Sequence, residues 1–176
     1  MPAERNREVE ARQRERALKR SGSIRPYRLV DEAAVADVWH RSGRAAYPFL
    51  PTWQALDAHE ARRVFREVIV PDREIWVAVE GERIVGFLSL DGSYLDRLYI
   101  DPANQRRGWG VRLLVYAKSR NPLGLSLHTH QENRAARAFY EAHGFIAVRF
   151  GLSPPPERAP DVEYHWGSPP ARRPPP

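Results

Sequence analysis

Cysteine is absent and methionine occurs once among 176 residues. Without a thiol the chain can form no disulfide and no thiolate metal site, and covalent catalysis through a cysteinyl intermediate is closed to it. Long apolar runs are also missing. No stretch approaches the ~20 apolar residues of a membrane span, and the first residues carry charge where a secretory signal would carry an apolar core. The expected location is therefore cytoplasmic, with no membrane partner.

What is present is unevenly placed. Residues 1–20 hold seven Lys/Arg against four Glu, about half of the net charge of +6. That stretch has too few apolar residues to build a helix face, so residues 1–22 are expected to be a tail, frayed or disordered. Nine of the sixteen prolines lie beyond residue 153, and residues 168–176 are expected to be a Pro-rich tail. The domain is expected over 23–167. Nucleic acid is not an expected partner, because nothing aromatic is interleaved with the tail arginines and charge-dense arms are usually solvated.

The domain reads as an alternation of strands and helices. Ile24–Leu29 makes a first strand, and Asp31 is placed to cap a helix carrying Val35, Val38 and Trp39. A second helix, capped by Thr52 or Asp57, runs to about Val68. Two β-rich runs, Glu74–Glu80 and Arg83–Leu90, flank a Gly-containing turn and form a hairpin; a third strand ends at Ile100. The run Leu123–His130, reached through a helix, favours parallel pairing with that third strand. Strands at Phe145–Val148 and Asp161–Trp166 follow.

The centre of the chain is the strand Leu95–Ile100 and the turn Gln105-Arg106-Arg107-Gly108-Trp109-Gly110 that leads into a helix with Val111, Leu114 and Val115 on one face. Glycines at 108 and 110 remove Cβ atoms where the loop becomes a helix. The first N–H groups of that helix lack partners, and Arg106, Arg107 and Arg112 add positive charge, which together suit a phosphate. A dinucleotide fingerprint would need a further glycine where Leu113 stands, and a Walker A turn would need Gly-Lys-Ser/Thr. Neither fits.

The run Leu98-Tyr99-Ile100-Asp101-Pro102, this turn, and the later segment Asn133-Arg134-Ala135-Ala136-Arg137-Ala138-Phe139-Tyr140-Glu141-Ala142-His143-Gly144-Phe145 resemble the GCN5-related N-acetyltransferases (GNAT) over roughly residues 24–150. The resemblance implies an α/β fold of the α+β kind. Its mixed, mostly antiparallel sheet has a splayed parallel pair at the centre and about four flanking helices. It also implies acetyl-CoA as cofactor and an amine as acceptor. Leu98, Tyr99 and Ile100 would meet the pantetheine amides, and Gln105, Arg106, Arg107, Gly108, Trp109, Gly110 and Val111 the pyrophosphate. Asn133 would bond the pantetheine or cap its helix. Arg106 stands where glycine is frequent, which argues that this position does not need positive φ. Trp109 stands where a small aliphatic is usual, to cover the adenine or pack on the sheet.

Tyr140 is implied as the general acid for the departing thiolate. It is expected to face away from a core stripe of Ala135, Ala138, Phe139 and Ala142. Asp96, two residues before Leu98 and so expected on the same face, is a base or acceptor-binding candidate, with a structural ion pair as the alternative. Tyr47, Phe49, Trp53 and His128 are the further acceptor-side candidates, with ordinary core packing the equal alternative for the first three and a structural role the alternative for the histidine. His128 and His130 share a strand face, but no third ligand at zinc spacing accompanies them, and no metal is expected. Three readings follow in order: direct acetyl transfer to a primary amine, a non-catalytic acetyl-CoA sensor of the same fold, and nucleic-acid binding. Family members often form homodimers; this sequence is silent on oligomeric state.

Overall fold

The computed structural model describes residues 22–168, and the expected tails 1–22 and 168–176 lie outside them except for Gly22 and Ser168. Within these described residues seven strands form one sheet: β1 (Ser23–Pro26), β2 (Glu74–Glu80), β3 (Arg83–Asp91), β4 (Tyr94–Ile100), β5 (Gly124–His130), β6 (Ile146–Leu152) and β7 (Pro160–Gly167). Their order is β1-β2-β3-β4-β5-β7-β6. Only β4 and β5 run parallel; every other neighbouring pair is antiparallel. The mostly antiparallel sheet with a central parallel pair is thus the architecture expected from the sequence.

Among the described residues five α-helices flank it: α1 (Glu32–Ala46), α2 (Pro51–Ala55), α3 (Ala58–Val64), α4 (Trp109–Arg120) and α5 (Arg134–Ala142). The expected second helix is in fact two. Leu56 is extended, Asp57 then caps α3 by accepting from the Glu60 N–H at 2.8 Å, and a wider π-type turn at Phe65–Ile69 ends it. Asp31 stands at the start of α1 but does not cap it. Its carboxylate accepts from Arg25 Nη1 and Nη2 (2.7 and 2.9 Å) and from the Arg28 N–H (2.8 Å), tying β1 to the helix.

Apolar residues cover both faces of the sheet. On one face Val35, Val38 and Trp39 of α1, Trp53 of α2 and Phe65 pack on Val77 and Phe87. On the other, Leu113, Leu114 and Ala117 of α4 and Tyr140 of α5 pack on Leu88, Leu95, Leu125 and Leu127. The buried face of α4 is Trp109, Leu113, Leu114 and Ala117, whereas Val111 and Val115 of the predicted stripe are 40% and 59% exposed. Leu114 of the predicted stripe is buried, but the buried face is rotated from that stripe toward Trp109, Leu113 and Ala117.

One irregularity shapes the centre. Ser89 pairs with Arg97 but Leu90 with Leu95, so Asp96 is the extra residue of a β-bulge in β4. Such bulges disrupt the ladder locally and increase twist. Leu95 and Leu98 consequently share one core although simple alternation would separate them.

Candidate active site between the splayed strands

The parallel pair barely forms. β4 and β5 are in register only at Tyr94 and Ser126, where the Ser126 N–H donates to the Ser93 carbonyl at 3.0 Å. Beyond that point the strands diverge into a cleft of about 990 Å³, walled by β4, the following turn, the end of β5 and α5. The Asp101 N–H donates to Val85 of β3. By antiparallel alternation, Tyr99 turns its main chain to β3, while Leu98 and Ile100 turn theirs to the cleft. The Ile100 carbonyl is taken by Ser42 Oγ (3.0 Å) and Gln105 Nε2 (3.2 Å). The Leu98 N–H and C=O and the Ile100 N–H are left facing the opening. Of the three residues expected to meet pantetheine, Tyr99 contributes no main-chain group there.

At the far end, Asp101 accepts from the Ala103 N–H at 3.0 Å and starts a short 3₁₀ turn over Pro102–Asn104. Gly108 has φ 84° and precedes α4. The first intrahelical donor is the Arg112 N–H, 3.1 Å from the Gly108 carbonyl, so the N–H groups of Trp109, Gly110 and Val111 have no partner inside the helix. No acidic residue occupies the first turn. A Cβ built on Gly108 would meet nothing within 4 Å, so this glycine answers to its backbone angle, and it borders the cleft beside the amides. That is the chemistry of an anion site.

Several details of the turn differ from expectation. Arg106 adopts φ 60°, so positive φ is required there, and arginine bears a strain of roughly 1–2 kcal/mol. The Arg107 guanidinium donates to Glu80 at 2.9 Å, and Arg112 lies 4.2 Å over the Trp109 ring and donates to the Gly22 carbonyl at 2.5 Å. Of the three arginines, only Arg106 has no protein partner among the described residues. Trp109 is buried in the core, so its side chain packs on the sheet, while the residue also borders the cleft.

In α5, Asn133 caps the helix, accepting from the Ala136 N–H at 3.1 Å, and also lines the cleft. Ala135, Ala138 and Ala142 are exposed cleft wall, not core. Tyr140 is the residue that turns inward, 8% exposed among Phe139, Phe145 and Tyr164. Periodicity located a face of small residues correctly but not what stands opposite, which is open space. The Tyr140 hydroxyl makes no hydrogen bond to the described residues, and its ring lines the cleft. Burial pushes the phenol well up from its ordinary value, with nearby Tyr47 and Tyr94 adding to the shift.

The opposite side of the sheet forms the second wall. Tyr47 and Phe49 line the cleft half-buried, and Tyr47 meets the Tyr99 hydroxyl at 3.4 Å. Burial raises both phenols above the ordinary value. Trp53 does not reach the cleft. It is 8% exposed and packs edge-on to Trp39, and a Cβ on Gly43 would stand 1.9 Å from its ring. Its size, which recommended it as a pocket wall, instead fills the core.

Asp96 lines the cleft, but the bulge turns it to the face of Ser89, opposite to Leu98. Its Oδ2 accepts from Ser89 Oγ at 3.0 Å, forms an ion pair with Arg97, and lies 3.3 Å from Arg73 Nε. The alternative of a structural ion pair is the arrangement seen. His128 is an exposed cleft residue, with Nδ1 3.4 Å from the Tyr94 hydroxyl and Nε2 3.8 Å from Glu163 Oε2. Sequence reasoning missed Tyr94, whose position against His128 depends on pairing across the splayed strands, and Ser42, which carries no local signal. Among the described residues no group of three His, Cys, Asp or Glu could hold a metal, and no helix is long and apolar enough to cross a membrane.

Against known proteins, the profile of the Acetyltransferase (GNAT) domain matches residues 71–147. The peptidyl-lysine N-acetyltransferase YjaB of Escherichia coli K12 is 33% identical over 124 residues, 70% of this chain and 81% of that protein. The chain belongs to the GNAT family of N-acetyltransferases. The peptidyl-lysine N-acetyltransferase YiaC of the same organism is 29% identical over 128 residues, covering 71% of this chain and 84% of that one. The solution structure of apo YjaB from Escherichia coli superposes with a TM-score of 0.70 at 28% identity, covering 84% of this chain and 99% of that one. The cleft at the divergence of β4 and β5 is therefore the candidate active site of a GNAT acetyltransferase.

Proposed function

We propose that this enzyme moves the acetyl group of acetyl-CoA directly to a primary amine, the ε-amine of a lysine in a protein or peptide being the acceptor class to test first. The observation that carries the reading is one continuous cleft. Among the described residues it has unpaired N–H groups and no acid at the helix end, the free N–H and C=O of Leu98 and N–H of Ile100 midway, and an unpartnered Tyr140 hydroxyl beside them. The lysine acceptor is suggested by YjaB and YiaC, both named peptidyl-lysine N-acetyltransferases.

In this reading acetyl-CoA supplies the activated acetyl group. The N–H groups of Trp109, Gly110 and Val111 hold its diphosphate, with Arg106, which has no protein partner among the described residues, as the cation nearby. Leu98 and Ile100 extend their main chain toward the pantetheine amides as a missing strand would. Asn133 holds the start of α5 against that arm. The amine arrives from the side of Tyr47 and Phe49, and main-chain N–H groups of β4 polarise the thioester carbonyl. Tyr140 donates its proton to the sulfur as the C–S bond breaks. An ordinary phenol titrates near 10 and a thiol near 8.5, so that transfer is uphill by about 2 kcal/mol. Burial raises Tyr140 further, but a thiolate forming in the same cleft is disfavoured by the same loss of solvation, so the gap stays small. With no cysteine in the chain, a cysteinyl acetyl-enzyme does not arise.

The test is thiol release from acetyl-CoA by the full chain over a panel of lysine peptides, free amino acids and polyamines, with mass spectrometry of the products. Acetylated lysine peptide with stoichiometric coenzyme A supports the reading. Tight acetyl-CoA binding with no turnover on any amine would establish the sensor alternative instead.

A further inference from the structure

The attacking amine nitrogen must shed a proton as the amide forms, and Asp96 is committed to Ser89, Arg97 and Arg73. The same face of the sheet holds another line of proton-bearing groups. Tyr94 sits at the last paired position before β4 and β5 separate. Its hydroxyl is 3.4 Å from His128 Nδ1, the rings lie 5.9 Å apart, and His128 lines the cleft. On β7, in register with His128, Glu163 places Oε2 3.8 Å from His128 Nε2. Glu163 is itself held, accepting from Arg149 Nε of β6 at 2.9 Å and lying 2.8 Å from His165 Nε2.

We propose that Tyr94, His128 and Glu163 form the outlet for the acceptor's proton, with His128 as the group that takes it. This rests on the acetyl-transfer reading above. As the amine nitrogen forms its bond to the thioester carbon, an N–H bond breaks and its proton goes to the Tyr94 oxygen. The Tyr94 O–H proton passes to His128 Nδ1, and the Glu163 carboxylate faces the imidazolium at Nε2. The C–S bond then breaks and the sulfur takes the Tyr140 proton; the imidazolium gives its proton to solvent at the exposed His128 edge and Tyr140 takes one back from solvent in the cleft, so the protons balance.

Three features favour this line over its neighbours. His128 is exposed within the cleft, whereas His130 is nearly buried, wedged edge-on against Tyr47 and Phe49 with Nε2 3.4 Å from Glu157. His143 also lines the cleft, but its Nδ1 is 2.7 Å from the Phe139 carbonyl at the end of α5, on the opposite face of the sheet. Burial holds Tyr94 protonated, its pKa pushed up to about 12, so its hydroxyl passes a proton without becoming a free phenolate. The charged and titratable groups facing His128 and its partners are Tyr94 on β4 with Asp96 and Arg97 beyond it, Asp161, Glu163 and His165 on β7, Arg149 on β6, and Tyr140 across the cleft.

The experiment uses the full chain, acetyl-CoA and the best amine of the panel, comparing wild type with His128→Gln, Tyr94→Phe and Glu163→Gln across pH. His128→Gln should lower kcat/KM for the amine by about 10²–10⁴-fold. It should leave acetyl-CoA affinity within about twofold, remove the profile limb in which a group must be deprotonated, and regain activity with added imidazole. Tyr94→Phe, which keeps the ring, should lose at least tenfold and Glu163→Gln about tenfold. His128→Gln within threefold of wild type and with an unaltered profile overturns the assignment. So does a loss that imidazole leaves unchanged while Tyr94→Phe behaves as wild type. Wild type that acetylates no amine at all would overturn the acetyl-transfer reading itself, and this assignment with it.

Discussion

Tyr140→Phe separates the chemical role of this residue from its structural one. The ring is enclosed by Phe139, Phe145 and Tyr164, with centroids 5.3, 5.5 and 6.4 Å away, and Phe preserves that packing. The hydroxyl has no partner among the described residues, so its removal orphans no buried protein group and should change stability by less than about 1 kcal/mol. Tyr140→Ala, by contrast, leaves a ring-sized void and should cost about 3–5 kcal/mol. If the hydroxyl supplies the proton for the thiolate, Tyr140→Phe lowers kcat by about 10²–10⁴-fold, or about 3–5 kcal/mol of barrier, and barely changes acetyl-CoA affinity. The assay is thiol release under saturating acetyl-CoA, with a thermal melt and calorimetry on the same preparation. The pH dependence has a definite sign. Folding raises the Tyr140 pKa, so its stabilising contribution is complete below the unfolded value near 10 and is lost as pH rises through the higher folded value. The phenol accordingly remains a proton donor through pH ~10. A Tyr140→Phe enzyme within threefold of wild type refutes the general-acid role.

Three further substitutions test other parts of the site. Gly108→Ala should lose roughly 1–2 kcal/mol of stability from φ 84° and weaken acetyl-CoA binding more than tenfold by placing a methyl group beside the free amides; unchanged calorimetric affinity contradicts the anion site. Arg106→Gly should relieve strain at φ 60°, with stability measured by denaturant held or raised by up to about 1 kcal/mol, while acetyl-CoA affinity becomes less salt-sensitive because one cation is gone. Asp96→Asn should destabilise by about 1–3 kcal/mol by loosening Ser89, Arg97 and Arg73, raising the KM for amine more than it lowers kcat. A pure kcat loss at unchanged melting temperature would restore Asp96 as the base.

The parts of this site that the sequence announced are those where local backbone chemistry decides. The strand ending at Asp101-Pro102, the glycine turn and the unpaired helix amides are all local, and they stand where their letters put them. What was hidden depends on partners distant in the chain. The bulge at Asp96 arises from register against β3 and carries no glycine or proline to mark it, so alternation placed the carboxylate on the wrong face. The alanine stripe of α5 has the period of a buried face yet looks onto the cleft, because periodicity fixes a direction and not its occupant. Trp53 and Trp109 are large enough to wall a pocket or fill a core, and both are core. Arg106 shows that a residue type ill suited to positive φ can still be forced into it by the turn around it.

The proposed chemistry depends on acetyl-CoA lying between β4 and β5 with its diphosphate on the start of α4. Amide hydrogen exchange of the full chain with and without coenzyme A tests it at the atoms concerned. Slowed exchange at the N–H groups of Leu98, Ile100, Trp109, Gly110 and Val111, with β1 and β2 unchanged, is the expected result. Saturating coenzyme A that leaves those five amides exchanging as in the free protein would contradict it.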